Sequence, residues 1–420
     1  MRNKKNDLRK FAPFLLASSK ELTINNLDFI YSDDDFSDLA SFDIIPNSIN
    51  QFDSIDNGGV EYLVFPSWNN PRFFVCNDKN LIKNIGNLIK PTSFKAKMAW
   101  KVALILNRFN AIKLLFSNSL FVKTNVLGGL FLKANNQQKS KFIIYTGAVG
   151  IYQKWTVQEM NEENMIMSFS KIGKNKLSIE RIYKEQNCLQ FLSDMNFDSF
   201  EIPTLIDFYQ VNEFSIIKQG ACDADYNQVI SEFSYQHQQV LEELHLKLSK
   251  DIVVDDFINH LRKEKTKIAI EDIYVQSIVS LIGININNLE SQLKNRKVLN
   301  FTFSHGDYTQ WNSFSNGEKL FVFDWEMGDY RMPLWDYFNF IYHSVFLVHN
   351  FNEKILQKLL FQNYNWANLL VDNMYDTCHK VYLIEITIHY LHQYQELRKI
   401  GIENSVYKLI EQFPKFLKAN

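Results

Sequence analysis

FSHGDYTQWNSF, residues 303–314, followed by LFVFDWEMGDY, residues 320–330, is the stretch on which the fold turns. Asp307 and Asn312 stand five residues apart in it. Asp324 follows twelve residues after Asn312, at the end of the apolar run from Leu320 to Phe323. Asn316-Gly317 has the chemistry of a two-residue hairpin turn. The two segments are therefore expected to fold back on each other and bring Asp307, Asn312 and Asp324 to one rim.

Phosphoryl transfer gives such a trio a purpose, because it asks a protein for positioning and charge neutralisation more than for covalent chemistry. Oxygen donors from an Asn and an Asp suit Mg²⁺, which holds ATP phosphates while keeping several waters. A second Asp, free of the metal, can accept the proton of an attacking hydroxyl. The Asp-x-x-x-x-Asn spacing and the strand-end Asp follow the logic of a kinase catalytic loop and its metal-binding Asp.

HGDYTQWN and FDWE resemble motifs of the aminoglycoside phosphotransferase and choline kinase-like enzymes. His305-Gly306-Asp307 stands where protein kinases have His-Arg-Asp, and Asp324-Trp325-Glu326 where they have Asp-Phe-Gly. The resemblance implies an α+β, bilobal protein-kinase-like fold with a small β-rich N-lobe and a large helical C-lobe. It also implies ATP and Mg²⁺, with Asp307 as catalytic base and Asn312 and Asp324 as metal ligands. The acceptor would be a small-molecule hydroxyl: a sugar, amino sugar, aminoglycoside or choline-like alcohol. Asp336, in PLWDYF, resembles the helical Asp that ties down the catalytic loop. His305 is expected to brace that loop, and Glu326 either to hold metal-bound water or to support the site structurally.

Outward from this centre, strands are expected at Phe142–Tyr145, Gln153–Gln158 and Met165–Ile172, with a polar turn at Asn161–Asn164. A helix over Ile179–Leu192, a short extended piece from Pro203 and a strand at Phe214–Ile217 complete a small α+β lobe. The family resemblance makes Lys171 and Glu185 the ion pair that grips ATP phosphates, with Glu180 as an alternative to Glu185. Gly147 and Gly150 form either a phosphate-covering turn or a plain hairpin turn. Lys218-Gln219-Gly220 would fall at the hinge. The chain is mainly helical beyond Tyr226, where Asp329, Glu385 and Glu396 could attract a cationic substrate. The expected division is a small nucleotide-binding lobe over residues 136–220, a large helical lobe over 221–420, and an additional N-terminal module over 1–135.

That module is divided by charge. Glu21 to Glu61 holds ten acids and no Lys or Arg, whereas Arg72 to Lys141 holds thirteen Lys or Arg against one acid, Asp78. Either the two blocks face each other or the basic one meets an anionic surface or phosphorylated ligand. Residues 93–116 read as a helix capped by Thr92 or Ser93. Its apolar positions are Met98, Val102, Ile105, Phe109, Ile112 and Phe116, punctuated by Lys95, Lys97, Lys101, Arg108 and Lys113. It is expected either to pack on the core or to dock on anionic lipid. YLVFPSWNNPRFF, residues 62–74, reads as a strand pair on the small lobe or as part of a binding surface.

Hydrophobic residues at 46 % and charged residues at 22 % of 420 argue for a globular chain rather than a disordered one. Cys76, Cys188, Cys222 and Cys378 are scattered without a CxxC pair, as expected of reduced thiols. No apolar run reaches the ~18 residues a bilayer span needs, and the start is a poor secretory signal. A cytoplasmic enzyme with no nucleic-acid partner is expected, with a catalytically silent scaffold of the same fold as the alternative.

Overall fold

The computed structural model describes residues 141–419, apart from 148–149, 212–213, 223–229, 231, 316 and 348–350. Before them it describes the pieces 43–46, 59–65, 73–76, 94–109 and 118–123. The acidic run around Asp33, Asn316 of the turn, and the end of the basic helix beyond Phe109 lie outside the described residues. Two compact units divide the chain: Met1–Gln186 with Pro203–Asp223, and Asn187–Ile202 with Ala224–Asn420. The fold is α+β, with its large sheet in the first unit and most of its helices in the second.

The first unit is built on β1 (Asp43–Pro46), β2 (Gly59–Phe65), β3 (Phe73–Cys76), α1 (Phe94–Arg108), β4 (Asn118–Lys123), β5 (Lys141–Tyr145), β6 (Lys154–Met160) and β7 (Ile166–Gly173). Helix α2 (Lys176–Ser193) follows, and it ends in the second unit, as does β8 (Phe200–Glu201). β9 (Leu205–Val211) and β10 (Phe214–Gly220) return to the first. Among the described residues nine strands form one sheet in the order β1-β4-β2-β3-β5-β6-β7-β10-β9. The hydrophobic runs of β5 and β6 supply its interior, with Ile143, Ile144 and Val157 almost wholly buried. Between β6 and β7 the polar turn lies where expected. The Asn161 side chain accepts from the N–H of Met165 at 2.9 Å, and Asn164 adopts φ 63°, the left-handed backbone that Asn tolerates better than most residues.

Two outcomes concern the first 135 residues. Residues 62–74 do hold a strand pair, with Leu63 opposite Val75, and β3 then pairs with β5 through Phe73 opposite Tyr145. β1 to β4 thus continue the sheet that β5 begins. The basic helix runs as α1. Among its described side chains Ala103 and Asn107 are buried, Leu104 and Leu106 half-buried, and the expected apolar positions Met98, Val102, Ile105 and Phe109 exposed. Periodicity groups residues on a face; it does not say which face is covered.

In the second unit α3 (Tyr235–Lys247), β11 (Ser249–Val253), α4 (Val254–Thr266) and α5 (Ile273–Leu293) precede β12 (Val298–Ser304). Then come β13 (Ser313–Ser315), β14 (Leu320–Val322), a 3₁₀ turn (Trp325–Met327) and β15 (Asp329–Arg331). Five helices close the chain: α6 (Trp335–Leu347), α7 (Glu353–Gln362), α8 (Tyr364–Leu370), α9 (Tyr375–Arg398) and α10 (Asn404–Ala419). Two small sheets, β11-β12-β15 and β13-β14-β8, carry the HGD and DWE segments on their ends. Beneath them lies an aromatic core in which Tyr337, Phe338, Tyr342, Tyr382 and Phe413 are fully buried. Each such side chain contributes roughly 1.5–3 kcal/mol by leaving water, which gives the loops above a rigid floor.

Candidate active site

The loop from His305 to Asn312 is fixed from three sides. Asp336, buried in the first turn of α6, accepts the His305 N–H at 2.6 Å on one carboxylate oxygen and the Gly306 N–H at 2.9 Å on the other. Burial raises its carboxyl above the ordinary range, while His305, the two N–H donors and Arg331 pull the other way. A carboxyl facing two donors is held as an acceptor. Asp336 thus ties down the loop as the resemblance implied.

His305 braces the same loop. It is fully buried, with Nε2 at 2.8 Å from the Phe323 carbonyl and Nδ1 receiving the Asp307 N–H at 3.2 Å. A carbonyl on one side and an N–H on the other select the tautomer protonated on Nε2. The imidazole therefore links the HGD loop to the residue before Asp324. Trp325, with no exposed surface, packs 4.7 Å from the His305 ring and donates its indole N–H to the Val322 carbonyl.

Asn312 completes the arrangement. Its side-chain amide donates to the carbonyl of Asp307 at 2.8 Å and to the Asp307 carboxylate at 3.1 Å. Its backbone carbonyl accepts the Phe323 N–H at 3.1 Å, continuing the pairing of Ser313 with Val322. The hairpin expected from Asn316-Gly317 therefore sets Asn312 beside the residue that precedes Asp324. Asp307 and Asp324 are half-buried. Asp324 has φ 70°, a conformation uncommon for a non-glycine residue and concentrated at functional sites.

In the first unit Lys171, on β7, meets Glu185, on α2, with Nζ to Oε1 at 2.5 Å and both residues buried. The local reason is plain. Ile182, Glu185, Leu189 and Leu192 recur at helical spacing on the buried face of α2, so Glu185 is a carboxylate set in an apolar stripe. Such a group requires a partner. Glu180, the alternative, is exposed and lies near Lys176 instead. Gly147 has φ 74°, and a Cβ there would stand 2.2 Å from the Lys154 carbonyl oxygen, so the turn from β5 to β6 needs glycine on packing grounds alone. Gly150 faces open space. Lys218 is engaged with Glu159 at 2.7 Å.

Other contributors have no local signature in the sequence. His237, wholly buried on α3, receives the Ser234 N–H on Nδ1 at 3.0 Å and sits 3.5 Å from the Ser313 hydroxyl, under the loop. Glu243 accepts from Lys247 Nζ at 2.6 Å, from the Ser199 hydroxyl and from the backbone N–H groups of Asp198 and Ser199 at 2.7 and 2.8 Å. Burial pushes its carboxyl up, but these donors, Lys247 first, hold it down at about 2. Tyr382 and Tyr390 on α9 are buried, and burial holds both hydroxyls protonated; the Asp307 charge adds to this at Tyr390, and at Tyr382 it does so after the neighbouring Tyr390 and Tyr342. Tyr390 also bonds His343 Nε2 at 2.7 Å. Of the three acids that could attract a cation, Glu396 pairs with Lys399 at 2.6 Å. Asp329 is exposed, and Glu385 is pushed up to about 7, chiefly by burial.

No protein-family model and no curated protein matches the sequence. Among solved structures the chain is similar to the GDP complex of aminoglycoside 2'-phosphotransferase-IIIa, at 11 % identity and TM-score 0.45, over 70 % of this chain and 97 % of that one. It is similar to the ADP-bound aminoglycoside phosphotransferase APH(2'')-Ib at 15 % identity and TM-score 0.42, over 70 % and 95 %. The amicoumacin kinase hAmiN, in complex with AMP-PNP, Ca²⁺ and Ami, shares 12 % identity at TM-score 0.40, over 70 % and 92 %.

Proposed function

We propose that the chain is an ATP- and Mg²⁺-dependent phosphotransferase that moves the γ-phosphoryl group to a hydroxyl of a small molecule. The observation that carries this reading is the closure of Asn312 onto Asp307, in a loop whose last backbone carbonyl holds the residue preceding Asp324. The Asp324 carboxylate and the Asn312 amide oxygen, both on short loops braced from below, are hard-oxygen donors of the kind Mg²⁺ prefers. Mg²⁺ bound by Asn312 and Asp324 would neutralise charge on the phosphates.

Asp307 then serves as base. The acceptor hydroxyl oxygen forms a bond to the γ-phosphorus while the bond from that phosphorus to the β,γ-bridging oxygen breaks. The hydroxyl proton passes to the Asp307 carboxylate, and ADP leaves with the bridging oxygen. Lys171, held by Glu185, is assigned to the nucleotide phosphates, and Gly147 and Gly150 to the turn that approaches them. The acceptor is a sugar, amino sugar, aminoglycoside or choline-like alcohol.

A panel of such hydroxyl compounds, screened for ADP release, tests the proposal. One acceptor should be phosphorylated, and Asp307→Asn should abolish transfer while ATP·Mg²⁺ still raises the melting temperature through ligand linkage. Asp324→Asn, which keeps a residue tolerant of φ 70°, should weaken that thermal shift itself. No thermal shift and no turnover with the wild-type chain would leave a nucleotide-free scaffold as the better account.

A further inference from the structure

Among the described side chains of helix α1, the buried ones are small or polar, Ala103 at 3 % and Asn107 at 6 % exposure. Those it exposes are large and apolar: Met98 at 47 %, Val102 at 44 %, Ile105 at 53 % and, one residue beyond its end, Phe109 at 77 %. These four lie at i, i+4, i+7 and i+11, so they form a single outward stripe. An outward stripe of large apolar side chains in water carries a cost that a covering partner would remove.

The chemistry of that partner follows from the charges beside the stripe. Lys101 and Arg108 are exposed on the same helix, at positions that border the apolar arc on one side. α1 contains no acid, and the block from Arg72 to Lys141 contains one against thirteen Lys or Arg. Apolar side chains flanked by cations suit an anionic bilayer, whose acyl region takes the first and whose headgroups take the second. A second copy of the same face would bring like charges together. Among the described residues no helix is long and apolar enough to cross a membrane, so the mode is lying in the interface.

We propose that α1 is a peripheral docking element for anionic lipid surfaces, through Met98, Val102, Ile105 and Phe109 flanked by Lys101 and Arg108. This does not depend on the phosphotransferase reading, since none of these residues belongs to the candidate active site.

Co-sedimentation of the full chain with vesicles tests it. Binding is expected to phosphatidylcholine vesicles containing about 30 mol % phosphatidylglycerol, and to fall at least about tenfold on pure phosphatidylcholine. Ile105→Glu/Phe109→Glu should lose binding to both, with the melting temperature unchanged because the side chains are exposed. Lys101→Glu/Arg108→Glu should reduce binding to anionic vesicles and lower its salt sensitivity. Failure of the wild-type chain to bind anionic vesicles would overturn the proposal. So would a self-association that Ile105→Glu/Phe109→Glu abolishes in the absence of vesicle binding, since the face would then be a contact between copies.

Discussion

The side-chain amide of Asn312 donates to the carboxylate of Asp307 at 3.1 Å and to the carbonyl of the same residue at 2.8 Å. One amide thus closes the loop and orients the group assigned as base. Asn312→Asp replaces that donor with an acceptor and sets two carboxylates about 3 Å apart, where both cannot ionise cheaply. The acid limb of the pH–rate profile for ATP consumption should move upward, and turnover near neutral pH should fall by about a hundredfold. Asn312→Ala removes the donor without adding charge. It should cost about 1–2 kcal/mol of stability and move the acid limb upward by less than Asn312→Asp does, since only a hydrogen bond to the ionised carboxylate is lost. An unmoved limb in Asn312→Asp would remove Asp307 from the protonation step.

Lys171 and Glu185 invite a different experiment. Breaking a buried pair by removing one partner strands the other, at roughly 3–5 kcal/mol, whereas replacing both with apolar residues is often neutral. Lys171→Met should therefore destabilise the chain strongly, and Lys171→Met/Glu185→Leu should recover most of the loss in denaturant melts. The double variant should still fail to consume ATP. Recovered stability together with retained turnover would show that the pair supports only the fold.

The hairpin that sets Asn312 beside Asp307 and Phe323 was legible because Asp307, Asn312 and Asp324 lie on two adjoining segments. The pairing of Lys171 with Glu185 was legible within the other unit, because the two lie on consecutive elements whose strand and helix periods are clear. What escaped is long-range. Glu243 capping the backbone at Asp198 and Ser199, His237 under Ser313, and Tyr390 on His343 join residues far apart in the chain, each unremarkable in its own segment. Helix α1 was legible as a helix, yet its apolar stripe faces outward. β1 to β4 extend the same sheet as β5 to β7 because edge pairing is a backbone property that side-chain pattern does not announce.

Gly306 marks a position where the fold admits one residue type. Its φ is 83°, and a Cβ there would stand 2.3 Å from the Met327 carbonyl oxygen and 2.8 Å from the Met327 Cβ. Gly306→Ala should cost more than about 2 kcal/mol, combining the left-handed penalty with displacement of the turn after Asp324. Gly150→Ala, with nothing within 4 Å and no positive φ, should change stability by less than about 1 kcal/mol. Equal melting temperatures for the two variants would contradict the packing of the HGD loop against the DWE turn.

Acid should unfold the second unit earlier than its carboxylates alone would. Burial pushes His237 down to about 3, and His343 and His379 to about 4. Each is neutral when folded and takes up a proton on unfolding below its ordinary value. The stability they contribute is present above about pH 6.5 and is lost as pH falls towards 4, at up to about 1.4 kcal/mol per pH unit for each. Glu385 acts in the opposite sense. Its pKa is raised to about 7, chiefly by burial, so its contribution is complete below the ordinary carboxylate range and lost as pH rises through 7. The swing is at most about 3 kcal/mol. Glu385→Gln should therefore melt higher than the wild type at pH 8 by more than it does at pH 5, while the histidine-driven decline below pH 6 persists in both. A difference between the two chains that stays constant from pH 5 to 8 would mean that Glu385 ionises like a solvated carboxylate, and that burial does not govern its charge.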